Sequence, residues 1–223
     1  MEPVIAIDGP SGAGKSSVAR AIAVRAGWRY LDTGSLYRAL TLGLLGQGLV
    51  EVTKDREGWI CRTAPTCILT IDSSALEPKI FLNGSDVGEQ IRSLEVTQNV
   101  SEISALPCVR SRLLDLQREL IKRGGIVVEG RDIGSVVWPQ AEVKFYLTAD
   151  LTARALRRHA ELNKDVELDF IAGSLAQRDQ TDSTRAHSPL ALASGAILLD
   201  TTESSFEEVV EQVWNEIERE LAL

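Results

Sequence analysis

Residues Gly9-Pro10-Ser11-Gly12-Ala13-Gly14-Lys15-Ser16 set two glycines, a lysine and a hydroxyl at the spacing G-x-x-x-x-G-K-[ST]. The chemistry of that spacing is phosphate binding. Glycines let the backbone fold so that its N–H groups point inward around a phosphate chain. Lys15 is then expected to reach the β- and γ-phosphates, and the Ser16 hydroxyl to ligate Mg²⁺. An ordinary glycine turn would satisfy the same letters, so the flanks decide. Val4-Ile5-Ala6-Ile7-Asp8 is a short apolar run of the kind that forms a buried parallel strand. From Ser17 to Ala26, Val18, Ile22 and Ala26 recur at helical spacing, with Gly27 where a C-terminal cap belongs. Strand, glycine loop and helix N-terminus together define a nucleotide site, with Gly9, Pro10, Ser11, Gly12, Ala13, Gly14, Lys15, Ser16 and Ser17 as its cradle.

A second constellation is made of arginines. Arg38 follows Asp32-Thr33-Gly34 at the end of a second short strand, and Arg131 and Asp132 leave the strand Ile126-Val127-Val128-Glu129. Arg154, Arg157 and Arg158 share one helix, and Arg178, Asp182 and Arg185 line the stretch that follows. The planar guanidinium grips phosphate oxygens bidentately and stays charged in a closed site. A solvated helix face would account for any one of these arginines. Several of them, however, lie beyond strand ends, where an α/β fold binds its ligands. His159 and His187 need no role. Two other classes of phosphate-loop protein fit poorly. A GTPase would carry Asn-Lys-x-Asp, but Asn163-Lys164-Asp165-Val166 fails at its last position, and Asp55-Arg56-Glu57-Gly58 follows no strand. A motor ATPase would end an apolar strand in Asp, whereas Val128 leads into Glu129-Gly130-Arg131-Asp132.

The elements that must position these groups alternate. Trp28–Leu31, Ile126–Glu129, Val143–Leu147 and Ala196–Asp200 read as further strands, and 109–123, 151–162 and 205–221 as helices. The last opens on a capping box at Ser205 and carries Phe206, Val209, Val213 and Ile217 on one stripe. The expected fold class is α/β, a parallel sheet flanked by helices in a single domain over residues 1–223. One stretch departs from it: Thr66–Ile71, Lys79–Leu82 and Ser85–Val87, with Asn83-Gly84 between the last two, read as antiparallel strands. A small β insertion at about 64–92 follows from that reading.

A net charge of −8 argues against a nucleic-acid polymer or an acidic membrane as partner. Cys61, Cys67 and Cys108 lack CxxC spacing and read as reduced thiols of a cytoplasmic protein, with no metal site among them. No cleavable leader or membrane span is expected.

On these residues the chain resembles the bacterial cytidylate kinases, within the P-loop nucleoside monophosphate kinase family. The likeness runs through Ile7–Lys15, Leu31–Arg38, Gly130–Gly134, Arg154–Arg158 and Arg178-Asp179, and Phe81–Val87 resembles the β insertion of the bacterial enzymes. The resemblance implies transfer of the γ-phosphoryl group of Mg-ATP to CMP or dCMP by a monomer. It implies that Ser101, Arg110 and Asp132 meet the base, that Asp182 meets the ribose, and that Thr33, Arg38, Arg131, Arg178 and Arg185 hold the monophosphate end. Lys15, Arg131, Arg157 and Arg158 would act on the transferred group, the last two from a short helical lid at about 154–170. Thr33 stands where many relatives have Ser. Glu129 stands in place of a common Asp, one methylene longer. A different acceptor, another nucleotide or a small metabolite hydroxyl with Asp32 or Asp132 as base, stays open, as does a nucleotide switch without transfer.

Overall fold

The structure is a computed structural model and describes residues 2–72, 78–161, 166–185 and 187–222. Residues 73–77 of the expected β insertion and 162–165 of the expected lid, including most of the Asn163–Val166 segment, lie outside the described residues.

Five strands form a parallel sheet: β1 (Val4–Asp8), β2 (Arg29–Asp32), β6 (Ile126–Gly130), β7 (Val143–Thr148) and β8 (Ile197–Asp200), in the order β2-β6-β1-β7-β8. β1 is central, paired with β6 from Val4–Ile126 to Asp8–Gly130 and with β7 from Ile5–Val143 to Asp8–Tyr146. All five residues of β1 are buried, as a strand covered on both faces requires. Alternation sorts them: Ile5 and Ile7 pack with Val18, Ile22, Val213 and Ile217, whereas Val4 and Ala6 pack with Ile121, Ile126, Val128 and Ile133. Each fully buried Ile contributes about 1.5–3 kcal/mol through removal from water. The first set comes from α1 (Lys15–Ala26) and α8 (Phe206–Leu221). The capping box of Ser205 and Glu208 is present. Phe206 does not belong to the buried stripe: it is 47% exposed, because it lies ahead of the turn at which α8 meets the sheet.

Between β2 and β6 the chain builds the acceptor side. It runs through α2 (Thr33–Gly46), α3 (Arg56–Thr63), β3 (Leu69–Asp72), β4 (Lys79–Leu82), β5 (Ser85–Asp86), α4 (Leu94–Ala105) and α5 (Pro107–Ile121). β3, β4 and β5 are antiparallel, as expected, and both residues of the Asn83-Gly84 turn have positive φ (51° and 83°). Leu36, Leu40 and Leu44 of α2, Ile60 of α3, Leu69, Ile80, Ile103 and Leu113 share one core beneath this region. After β7, α6 (Leu151–Glu161) packs on α7 (Leu168–Thr184) through Ala155, Ile171 and Leu175. Among the described residues, no helix is long and apolar enough to cross a membrane.

The reading of all three cysteines as reduced thiols is corrected. Cys61 of α3 and Cys108 of α5 form a disulfide with Cα atoms 5.7 Å apart, and Cys67 alone is free. The two are 47 residues apart in sequence, so only the packing of α3 beside the start of α5 brings them together.

Candidate active site

Gly9–Ser16 leaves the carboxyl end of β1, the centre of the sheet, and turns into α1 at Lys15. Gly9 has φ 146°, and a Cβ there would lie 2.0 Å from the Leu147 carbonyl oxygen, so a side chain has no room. The Lys15 ammonium lies inside the loop and donates to the Pro10 carbonyl at 2.7 Å. Burial first, and then the neighbouring Arg131, pull its pKa down to about 7. Arg154 braces the same loop: it donates to the Ser11 and Ala149 carbonyls at 3.0 Å each and pairs with Asp179 at 2.6 Å. Its side chain is thus an anchor between loop, α6 and α7.

Asp8 organises the opposite wall. Its two carboxylate oxygens accept the backbone N–H groups of Ile133 and Gly134, each at 2.8 Å. Those residues open a single π-helical turn, Ile133–Val137, a rare element that occurs chiefly at functional sites. Burial raises the Asp8 pKa to about 6 against the lowering effect of the two N–H donors. By holding this turn, Asp8 fixes where Arg131 and Asp132 emerge.

Arg131, Asp132, Asp182, Arg110 and Arg185 form one network, with Arg131 half-buried at its edge. Arg131 Nε donates to Asp182 at 2.9 Å, and Arg110 is bonded to Asp132. Arg185 lies 3.5 Å from Asp182 and 3.8 Å from Asp132. Tyr37 lies under the Arg110 guanidinium, 5.5 Å from ring centre to Cζ. Among the described residues, four guanidinium nitrogens are buried without a hydrogen-bond partner: Arg110 Nε, Arg178 Nε and Arg185 Nη2 here, and Arg20 Nε on α1. Buried donors without acceptors are costly, and three of the four belong to the arginines expected at the acceptor.

The phosphate-type arginines sit in mutual reach. Arg178 is pushed down to about 9 by burial and then by Arg131, with Arg38 and Arg158 adding repulsion. Arg38 is lowered by burial, with Arg158, Arg92 and Arg131 repelling it, and its guanidinium donates to the Ile91 carbonyl at 3.1 Å and Thr97 Oγ1 at 3.0 Å. Arg131 and Arg178 thus repel Lys15, and Arg38, Arg131 and Arg158 repel Arg178, a concentration of positive charge that phosphate would neutralise.

Other expected site residues are placed elsewhere. Arg157 donates to the Thr201 hydroxyl at 2.9 Å and to its carbonyl, on the flank of the loop where Thr201 also reaches the Ala13 carbonyl at 3.4 Å. The Thr33 hydroxyl donates to the Glu129 carbonyl at 2.7 Å and so links the first residue of α2 to β6. Ser101 stands on α4, its carbonyl bonded by Ser104, whose own carbonyl accepts from Arg110 at 3.3 Å. Glu129 is inside the site. Its carboxylate accepts from the Tyr30 hydroxyl at 2.5 Å, and burial followed by Asp32 raises its pKa, against a lowering effect of the nearby Ser16. Ser16, Glu129 and Asp32 are an oxygen-rich set that suits Mg²⁺. Tyr30, Tyr37, Asp8 and the anchoring role of Arg154 were not foreseen. The one legible signal was a carboxylate, Asp8, closing an otherwise apolar strand.

A central phosphate loop, mutually repelling cations around Lys15 beyond the carboxyl ends of a parallel sheet, and a separate acceptor-side region define a P-loop kinase. Two solved structures share the fold. One is an uncharacterized protein from Eubacterium ventriosum ATCC 27560 (TM-score 0.53, 11% identity, covering 98% of this chain and 99% of that one). The other is a gluconokinase from Sinorhizobium meliloti 1021 (TM-score 0.52, 15% identity, 97% and 92%). The sequence is more specific. The family profile described as cytidylate kinase matches residues 5–219. The cytidylate kinase of Carboxydothermus hydrogenoformans is 46% identical over 209 residues, covering 92% of this chain and 93% of that protein. That of Caldanaerobacter subterraneus is 43% identical over 218 residues, covering 96% and 94%. The chain belongs to the cytidylate kinase family. It is also 44% identical over 219 residues to the bifunctional pantoate ligase/cytidylate kinase of Trichormus variabilis, covering 95% of this chain and 40% of that protein.

Proposed function

We infer that this chain phosphorylates CMP with ATP, and we propose the following division of labour within its site. The attacking group is an oxygen of the monophosphate, already ionised at neutral pH, so the chain needs no general base for it. Catalysis then consists of alignment and of positive charge on the equatorial oxygens of the transferred group. Lys15 and the loop N–H groups hold the ATP end, while Arg38, Arg131 and Arg178 hold the acceptor phosphate. Arg158, from α6, adds charge as the 154–170 segment covers the site and excludes water. Ser16, with Glu129 and Asp32 behind it, would hold Mg²⁺, which supplies charge neutralisation on the phosphates. Arg185 and Asp182 face the sugar and phosphate side.

Base choice rests on Arg110, Asp132 and Ser101. Cytosine presents an N4 amino donor with acceptors at N3 and O2, and a carboxylate accepts from N4. Uracil would turn an oxygen toward Asp132. A site built on such hydrogen bonds discriminates sharply, so CMP and dCMP are preferred over UMP. The observation that carries the reading is the pairing of Asp132 with Arg110 and Arg185 in the network that also contains Arg131. The protein acts as a monomer in the cytoplasm, with no nucleic-acid polymer or membrane as partner. A panel of CMP, dCMP, UMP, AMP and GMP with Mg-ATP tests this. ADP release that depends on CMP or dCMP is expected, and release with AMP or GMP at equal efficiency would refute it.

A further inference from the structure

The Cys61–Cys108 disulfide ties α3 to the first turn of α5 across a sequence separation of 47. The segment so enclosed holds β3, β4, β5 and α4. It therefore contains the Ile91 carbonyl and Thr97 hydroxyl that hold Arg38, and Ser104, whose carbonyl holds Arg110. Two positions past Cys108 stands Arg110 itself, bonded to Asp132. The cross-link thus joins the entry and the exit of the acceptor side and ends beside the arginine that reads the base. Both cysteines are half-buried, so a small thiol reagent has access to them. Cys67, by contrast, is buried, and burial pushes its thiol pKa up, which keeps it out of exchange. Where a thiol-rich buffer prevails, accessible disulfides are seldom permanent and commonly serve as redox-sensitive pairs.

We propose that Cys61 and Cys108 are a redox modification site whose oxidised state tightens acceptor binding, an inference that rests on the reading of this side as the CMP site. The oxidant is a low-molecular-weight disulfide such as glutathione disulfide. One cysteine thiolate attacks a sulfur of it, expelling one glutathione thiolate and forming a mixed disulfide. The second cysteine thiolate then attacks the protein sulfur of that mixed disulfide and expels the other glutathione. The protein gives up two electrons and two protons, and the oxidant becomes two thiols. Closing the loop limits how far the enclosed segment departs from its bound arrangement. Reduction frees α3 from the start of α5, and Arg110 is then less often in place.

The test equilibrates the whole protein in oxidising and reducing glutathione buffers, labels thiols with N-ethylmaleimide after unfolding, and measures KM for CMP and for ATP on the same samples. With three cysteines, two of them paired, one label is expected in the oxidised form and three in the reduced form. Reduction is expected to raise KM for CMP about fivefold, the low end of usual coupling between sites, and to leave KM for ATP unchanged. Cys61→Ser and Cys108→Ser should each show the reduced value in both buffers, while Cys67→Ser should still switch. Trypsin should cut within 62–107 faster in the reduced form. Three labels under oxidising buffer, or one KM for CMP in both states, overturns the proposal. If CMP is not phosphorylated in either state, the acceptor reading falls, and the trypsin comparison alone then decides the redox claim: equal cutting rejects it.

Discussion

Asp132→Asn is the sharpest perturbation of the base-reading network. Asp132 is 5% exposed, is bonded by Arg110, and lies 3.8 Å from Arg185. The amide keeps one acceptor but loses the charge and places an NH₂ group where the carboxylate accepts from the cytosine amino group. A hydrogen bond to a charged group is worth about 1.5–3 kcal/mol. The efficiency kcat/KM for CMP should therefore fall roughly ten- to 150-fold. UMP offers an oxygen to the new amide, so its efficiency should hold or rise, and the CMP to UMP ratio should drop at least about tenfold. Two buried guanidinium groups also lose their shared counterion. Breaking such a pair costs about 3 kcal/mol, a fall in Tm of roughly 6–12 °C for a chain of this size. The ratio is measured on one preparation, so it does not depend on the folded fraction. An unchanged ratio in a folded Asp132→Asn variant would refute the assignment of this carboxylate to the base.

Two further outcomes follow from the charges. The folded pKa of Lys15, about 7, lies below its ordinary value of 10.5. Between those values the unfolded chain carries more protons, so this group's contribution to stability rises with pH from about 7 to 10.5. An anionic ligand reverses the shift. ATP binding at pH 8 should therefore take up close to one proton, and at pH 6 close to none. Calorimetry in buffers of differing ionisation enthalpy reads this, and equal uptake at both values, or uptake by Lys15→Ala, contradicts it. Among the described residues Arg158 is paired with Glu161, at 2.6 Å, and its charge is felt by Arg38 and Arg178. Arg158→Ala should cut kcat on the order of a hundredfold with little change in KM for CMP, and equal losses in both would remove it from the transferred group.

The sheet was legible because its strands are continuous apolar runs and each is set off by glycine or charge. The β insertion was legible because Asn83-Gly84 dictates its turn. The helices α2, α3, α4 and α7 were not read. The α7 segment carries apolar residues too sparsely for a clear stripe, with only Ile171 and Leu175 buried among them, and α2 is apolar on most sides. In the site, residue types pointed to Lys15 and the arginines, since only spacing and strand ends were needed. Arg154 and Thr33 turned out to be committed to main-chain carbonyls, and Arg157 to Thr201; such partners come from distant segments and leave no mark in local sequence. The Glu129–Tyr30 bond is of the same kind, formed only because β2 pairs with β6. The disulfide was misread because the contact of α3 with α5 is tertiary.

The central claim is that both phosphate chains enter one crevice, with Lys15 and Arg131 between them. Calorimetric titration with adenosine and cytidine joined 5′ to 5′ by five phosphates tests it most directly. One molecule should bind per chain, tighter than ATP or CMP alone, with binding abolished by excess of either nucleotide and weakened strongly in Lys15→Ala and in Arg131→Ala. Binding that CMP fails to displace, or that tolerates Arg131→Ala, would mean that the two nucleotides do not share the crevice.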